Sequence, residues 1–392
     1  MISASRYPHG YTSLRSLAKS GVEAVVAVGD DDLPISASRY CNTIVPIPIS
    51  DDIVGYKDAL LGLAARRDVR TIIPHRPQDP YLLSKYFDEF DRHTNIVVPP
   101  FETLKVVHDR KRLMDVAEDA GVPVPKTDLL REVEEWESKK IIKSRYNLLT
   151  DEYIGSFGSN DSDVAKSIVH VASGETPDTV AIREEMNHDP IVQEYIQGAG
   201  EYVFGALYDH GKALATFQHR QIRGNSYTGS GGVYRESVHI PELEETGRTI
   251  LDSIDWHGLA CIEYVKDEET GEFKLIEINP RMWQSLACAT HSGANFPHYY
   301  WLQATGQAEA IEPGYEVGIG THWLYGELEH VVSVLVEDSS LVDPPSLPKT
   351  IGEILVSSYR NPTFDYLYLD DPFPTIHQIN GIVRRRFDRL PI

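Results

Sequence analysis

The chain has 392 residues, 41% of them hydrophobic, and sets 59 acids against 37 bases for a net charge of −22. That length suggests two or three domains, and that charge excludes the net basic footprint that nucleic-acid binding needs. No run approaches the ~18 apolar residues of a membrane helix, no signal peptide opens the chain, and the separated Cys41, Cys261 and Cys288 offer neither zinc spacing nor a disulfide framework.

Arginine outnumbers lysine 23 to 14. An acid excess with few lysines suits a salt-adapted, cytoplasmic protein whose hydrated surface repels itself under strong screening. An acidic patch for a basic partner is the other reading. The cysteines read as reduced, non-catalytic thiols.

The first hundred residues alternate helix and strand. "MISASRYPHG" reads as the loop after a first strand that the chain lacks. "YTSLRSLAKSG" spaces Leu14, Leu17 and Ala18 as one helical face and stops at Gly21. "VEAVVAVG" is a β-branched strand, "YKDALLGLAARR" an amphipathic helix, and "VRTIIP" and "NIVVPP" are buried strands. Such alternation predicts a parallel sheet with helices on its faces. No GxGxxG follows a strand, which argues against an oxidoreductase built on a dinucleotide domain.

Leu113, Val116, Ala117 and Ala120 predict a helix that Gly121 ends and Pro123 and Pro125 keep from resuming. "KKIIKSRY" is a short strand and "GSFGSNDSD" a polar loop. "DPIVQEYIQGAGEYVFGALYD" reads as strand, glycine-bearing turn and strand, and "KALATFQHRQIRG" as a strand ending in a basic cluster. "GNSYTGSGGVYRES" is rich in Gly and Ser, and a helix follows near Pro241–Ile254. Beyond Gly306 come a turn-rich "LYLDDPFPT" and a basic tail, "VRRRFDR", expected to be a solvated or docked terminal helix.

The chemistry concentrates in "LACIEYVKDEETGEFKLIEINPR". Two apolar strands flank a turn containing Gly271, and Glu277, Asn279 and Arg281 alternate along the second. A turn centred near Thr270 sets Glu263 opposite Glu277. Facing carboxylates among apolar neighbours are destabilising unless a cation lies between them. With the Asn279 oxygen they form an all-oxygen donor set that suits Mg²⁺; a solvated acidic hairpin is the plain alternative. Arg281, on the same face, can grip an anion bidentately. Lys143 on an apolar strand reads as an anion contact or an edge lysine in water.

"QEYIQGAGE" offers backbone groups for a base edge, with Glu201 for ribose hydroxyls, or else surface charge at Glu194. Val265 would pack on a base or fill the core. His219, Arg220 and Arg223 read as phosphate ligands or surface ion pairs.

The hairpin "IEYV…LIEINPR", preceded by "IIKSR" and "VQEYIQGAGE", resembles the ATP-grasp superfamily, and most nearly its uncharacterised carboxylate–amine ligase members. The likeness runs from about Tyr11 to about Gly306 and includes "DRKRLMDVAEDAGVPVPKT" and "SLACATHSGANFP". It implies an α/β N-terminal domain with a parallel sheet (1–104), an α+β ATP-grasp domain of two lobes (105–305) and a C-terminal extension (306–392). In that scheme Glu263, Glu277 and Asn279 hold Mg²⁺, with Mn²⁺ an acceptable substitute. Lys143 and Arg110 meet the phosphates of ATP, as does Arg220. Glu194, Tyr195 and Ile196 form the adenine hinge beside Val265, Glu201 takes the ribose, and Arg281 holds the acyl phosphate or substrate carboxylate.

The implied reaction activates a small carboxylate with ATP and couples it to an amine, releasing ADP and phosphate; bicarbonate use of the biotin-carboxylase or carbamoyl-phosphate type and a non-catalytic ATP-binding module are the alternatives. A homodimer is compatible with the likeness, and no membrane partner is expected. The chain departs from the family pattern at Arg110, where Lys is common, and at Ser144, where Pro is common. Either "GSFGSN" or "TGSGG" could close on the phosphates.

Overall fold

The protein is described here by a computed structural model that covers residues 1–29, 33–48, 52–164, 167–229, 231–337 and 342–387, with side chains through 380. Three parallel strands, β1 (Ile2–Ala4), β2 (Val25–Val28) and β3 (Thr43–Pro46), open the chain and pair in that order. The first strand is therefore present, contrary to the sequence expectation. Three residues are too short to display a period, and the polar Ser3 masks the run. Its buried hydroxyl donates to Asp79. "VRTIIP" and "NIVVPP" contribute only single bridges, Ile2 with Ile73 and Thr71 with Asn95, rather than regular strands.

Helices α1 (Pro8–Lys19), α2 (Ile53–Ala64), α3 (Gln78–Lys85), α4 (Phe87–Asp91) and α5 (Phe101–His108) belong to this part of the chain. Ile53, Tyr56, Leu60 and Leu63 make the buried stripe of α2, and Asp52 caps it by accepting from Gly55 N at 3.1 Å. Helix α6 (Arg110–Asp119) is the one its apolar spacing predicts, followed by Gly121 at φ +78°. Its cap, Asp109, accepts from Lys111 N at 3.1 Å and from Arg145 Nε and Nη2 at 2.9 and 2.6 Å. That second grip ties α6 to the segment after the "IIK" strand and sets the position of Arg110.

A small lobe follows: β4 (Thr127–Leu129), β5 (Lys140–Lys143), β6 (Leu148–Thr150), β7 (Ser162–Val164), β8 (Ile168–Val171), α7 (Thr179–Met186) and β9 (Ile191–Glu194). Four of its strands form an antiparallel sheet in the order β4-β9-β5-β8, and β6 and β7 pair apart. It has its own core, with Trp136, Ile142, Ile182 and Val192 at the centre.

The large lobe is one antiparallel sheet. Strands β10 (Gly198–Asp209), β11 (Lys212–Gly224), β12 (Gly232–Ser237), β13 (Gly258–Asp267), β14 (Phe273–Asn279) and β15 (Gly320–His322) lie in the order β14-β13-β10-β11-β12-β15. Helix α8 (Pro241–Ser253) packs on one face, where Gly247 meets the Phe204 ring so closely that a Cβ would stand 2.5 Å from it. Helices α9 (Leu286–His291) and α10 (Phe296–Ala304) pack with α1.

The C-terminal segment joins this sheet through β15 and α11 (Leu324–Val336), while α12 (Leu347–Arg360) packs on α11 and α13 (Phe373–Phe387) on the Pro34–Ala37 turn of the N-terminal domain. Arg235 on β12 and Asp365 are both fully buried and joined bidentately at 2.9 Å. Asp371 accepts from Tyr11 Oη and Arg39 N, each at 3.0 Å, and Asp370 from Arg15 at 2.6 Å. The turn-rich "LYLDDPFPT" is thus a polar clamp on the N-terminal domain. The side chains of the basic tail, 383–389, lie outside the described residues. No helix among the described residues is long and apolar enough to cross a membrane. The architecture is an α/β domain with a parallel sheet followed by an α+β two-lobed domain.

Candidate active site

Strands β13 and β14 meet as a hairpin in which Glu263 faces Glu277, but not by simple counting from the turn. Lys266 pairs with Phe273 and Tyr264 with Leu275, which centres the turn half a residue before Thr270. Continued unchanged, that register would set Glu263 against Ile276. A β-bulge adds Ile276 as an extra residue, and opposition passes to Glu277. Gly271, at φ +76°, supplies the left-handed turn residue.

The two acids differ in surroundings. Glu277 is partly buried and has both oxygens engaged: Asn279 Nδ2 donates to one at 2.7 Å and Arg110 Nη2 to the other at 2.8 Å. Burial alone would raise its carboxyl; the Arg110 charge and hydrogen bond, with help from Lys143, outweigh that and hold it low. Glu263 has an exposed side chain on the open floor of the cleft. Its carboxyl is nonetheless raised, first by the protein atoms around it and then by the charges of Glu277 and Glu201. The expected dry pair is therefore dry on one side only, because Glu263 faces the cleft rather than the core.

Asn279 Nδ2 also reaches Glu263 Oε1 at 3.4 Å, while Asn279 Oδ1 accepts from Arg281 Nη2 at 3.4 Å. Thus the amide, and not its oxygen, is turned to the acids; a half-turn of the amide exchanges them. Arg281 also donates to the Met282 carbonyl at 3.1 Å.

Between the lobes lies a cleft of about 1440 Å³. Lys143, Gln193, Tyr195 and Ile196 line it from the small lobe, and Glu201, Val265 and Ile276 from the large sheet. The Lys143 ammonium has no hydrogen-bond partner among the described residues. Burial, then Arg110, lowers it to about 8 against the pull of Glu277 and Glu263. The Glu194 carboxylate is spent across the lobes, accepting from Lys274 Nζ at 3.1 Å and Lys126 N at 3.0 Å. Tyr195 N donates to the Lys139 carbonyl at 3.1 Å. Ile196, one residue on, lines the cleft, and its backbone N meets no protein acceptor among the described residues. Glu201 accepts from Gln221 Nε2 on the neighbouring strand.

The basic cluster of β11 does not assemble into a phosphate site. Tyr202 pairs with Arg220 while Glu201, lining the cleft, pairs with Gln221, so alternation turns Arg220 to the α8 face. There it joins Glu236 at 2.9 Å. Arg223 lines the cleft but is held by both oxygens of Glu327, at 2.8 and 2.7 Å, and His219 Nε2 lies 2.7 Å from Ser285 Oγ. Arg110 likewise meets Glu277 rather than open cleft. Each arginine thus has an acidic partner from another segment, and His219 a hydroxyl.

Of the two glycine-rich loops, Ser226, Tyr227, Thr228 and Gly229 line the cleft, with Ser230 outside the described residues. The "GSFGSN" loop instead reaches the N-terminal domain, where the Asn160 carbonyl accepts from Ile53 N at 3.2 Å. Sequence reasoning missed α12, whose Lys349, Glu353, Val356 and Arg360 also line the cleft. Their helical spacing was the available signal.

The family described as ATP-grasp in the biosynthetic pathway with Ter operon matches residues 186–324, which contain the β13–β14 hairpin. No curated protein sequence matches the chain. Similar solved structures include N5-carboxyaminoimidazole synthetase from Staphylococcus aureus (TM-score 0.58, 15% identity, covering 81% of this chain and 79% of that one). Biotin carboxylase from Campylobacter jejuni is also similar (TM-score 0.60, 14% identity, 81% and 73%). So is L-amino acid ligase from Bacillus licheniformis (TM-score 0.56, 15% identity, 80% and 76%). The chain thus shares the fold of these enzymes, and its residues 186–324, which include the central hairpin, match an ATP-grasp family.

Proposed function

We propose that the protein is an ATP- and Mg²⁺-dependent ligase that activates a carboxylate as its acyl phosphate and couples it to an amine. The observation that carries this reading is the opposition of Glu263 and Glu277 across β13 and β14, with the unpartnered Lys143 of the other lobe within their field. Glu263, Glu277 and, after its amide turns, Asn279 fit an all-oxygen cation site. Mg²⁺ there, or Mn²⁺ in its place, would neutralise charge on the triphosphate.

The chain's own groups do the rest. Ile196 N–H offers a donor to the adenine edge, with Val265 beneath the base and Glu201 placed for the ribose. Glu194 and Tyr195 hold the hinge backbone through their contacts with Lys126, Lys274 and Lys139. Lys143 supplies positive charge from the small lobe, and Arg281 holds the anionic substrate or acyl phosphate. The carboxylate oxygen attacks the γ-phosphorus and ADP leaves; the amine then attacks the acyl carbon and phosphate leaves. Such transfer needs positioning and charge neutralisation more than a protein nucleophile.

The test is ADP release from ATP, Mg²⁺ and pools of amino acids in high salt. Substrate-dependent ADP that Glu277→Gln abolishes, with the fold intact by circular dichroism, supports the reading. Bicarbonate-dependent ADP would redirect it to a carboxylase, and tight ATP binding without ADP would reduce it to a binding module. Wild-type turnover in Glu277→Gln would overturn the site.

A further inference from the structure

At the far end of β10 from the acidic pair, three potential metal ligands converge. Asp209 ends β10, His210 opens the turn into β11, and His257 lies just before β13. Asp209 Oδ1 lies 2.8 Å from His210 Nδ1 and 3.4 Å from His257 Nδ1. One ligand atom from each residue falls within 4.8 Å of the other two, and the imidazole rings are 4.0 Å apart at 31°. A tetrahedral ion with bonds of ~2.0–2.1 Å sets its ligand atoms ~3.4 Å apart, so the Asp209–His257 separation fits as it stands and the Asp209–His210 contact needs to open by about half an ångström.

We propose that Asp209, His210 and His257 bind a late first-row divalent cation, Zn²⁺ foremost. Two imidazoles, borderline donors, beside one carboxylate favour Zn²⁺ over Mg²⁺, which prefers an all-oxygen set. The site is distinct from the acidic pair: Val203, which pairs with Glu263, is six residues from Asp209 along β10, roughly 20 Å at ~3.3 Å per residue.

Hydrogen bonding points the same way. His257 Nδ1 accepts from the His210 backbone N–H at 3.3 Å, which makes it the unprotonated ring nitrogen, and it lies 3.4 Å from Asp209 Oδ1. Nitrogen and carboxylate therefore share no hydrogen, and a cation beside both would supply the positive partner they lack.

The backbone holds this geometry in place. His210 is a non-glycine residue in the left-handed region, at φ +44°, as is Asp255 at φ +48°. Gly211 N donates to the Trp256 carbonyl at 2.8 Å and so joins the β10–β11 turn to the segment that carries His257. All three ligands line a cleft of about 760 Å³ shared with Asp91 and Asn95 of the N-terminal domain, which leaves a coordination position for water or an outside ligand.

Calorimetric titration of the full, nucleotide-free chain with ZnCl₂ tests the proposal. One-to-one binding is expected, weakened at least ~10-fold in His210→Gln and in His257→Gln and retained in Glu263→Gln/Glu277→Gln. His210 is largely exposed, so its variant reports on binding without loss of the fold. Zn²⁺ at ~100 times its Kd should raise the unfolding midpoint by about 3 °C in the wild type and not in His210→Gln. Co²⁺ should give an intense visible band that His210→Gln loses. Absence of one-to-one binding, wild-type affinity in both histidine variants, or binding that instead follows the Glu263/Glu277 variant would overturn it.

Discussion

Arg110 Nη2 donates to Glu277 Oε2 at 2.8 Å across 167 residues of sequence, so one of the two facing acids already holds a cation of the protein's own. Arg110 is fixed for this by its contacts with the Ser144 and Tyr146 carbonyls, at 2.9 and 3.3 Å. Arg110→Ala should therefore destabilise the nucleotide-free protein by about 2–3 kcal/mol. This is less than the ~3–5 kcal/mol of a fully buried pair, because both side chains are partly open to the cleft. Urea unfolding measures it; a change below about 1 kcal/mol would count against the pairing.

Lys143 stands at the cleft with no ion-pair partner of its own among the described residues. Lys143→Met keeps the apolar stem in place and removes the charge. A charge-assisted contact of about 1.5–3 kcal/mol corresponds to roughly 10–100-fold in ATP affinity. Calorimetry with ATP and Mg²⁺ would read it, and an unchanged Kd would remove Lys143 from the phosphate site.

Two buried histidines predict acid sensitivity. Burial lowers His108 and His219 to about 3. Between about pH 3 and 6.5 the unfolded chain binds protons there that the folded chain does not. Stability is then fully present above pH 6.5 and falls as pH drops, by about 1.4 kcal/mol per pH unit for each histidine within that window. His219→Gln should shallow the pH dependence of the unfolding free energy by about one proton. An unaltered slope would mean that His219 charges in the folded state.

The Arg235–Asp365 pair is closed to water on both sides. Asp365→Asn leaves a buried guanidinium without its counter-charge, and a loss of about 3–5 kcal/mol is expected. The double change Arg235→Met/Asp365→Leu, which removes both charges, should cost far less. A single variant as stable as the wild type in thermal unfolding would refute the energetic role of the pair.

Local order was legible because it is set by short-range geometry. The period of apolar residues marked α6, and Gly121 marked its end, since only a few φ/ψ choices and one hydrogen-bond ladder were involved. The facing of Glu263 and Glu277 was also foreseen, although through a turn centre that is half a residue off and with a bulge at Ile276 that alternation alone does not reveal. Strand β1 was missed, since three residues cannot show a period, and so was α12 in the cleft wall.

By itself the sequence determined the chemistry of the central hairpin: two carboxylates, an amide and a guanidinium on adjoining strands, with spacing set by β geometry over fewer than twenty residues. Tertiary structure alone decided the partners of the cations. Arg110 met Glu277, Arg220 turned to Glu236, Arg223 was taken by Glu327, and Arg235 reached Asp365. The physical reason is one of range. Backbone hydrogen bonds fix neighbours along a strand. A charged side chain, by contrast, pairs with whatever acid the packing of distant segments brings within about 4 Å, and that depends on the core as a whole.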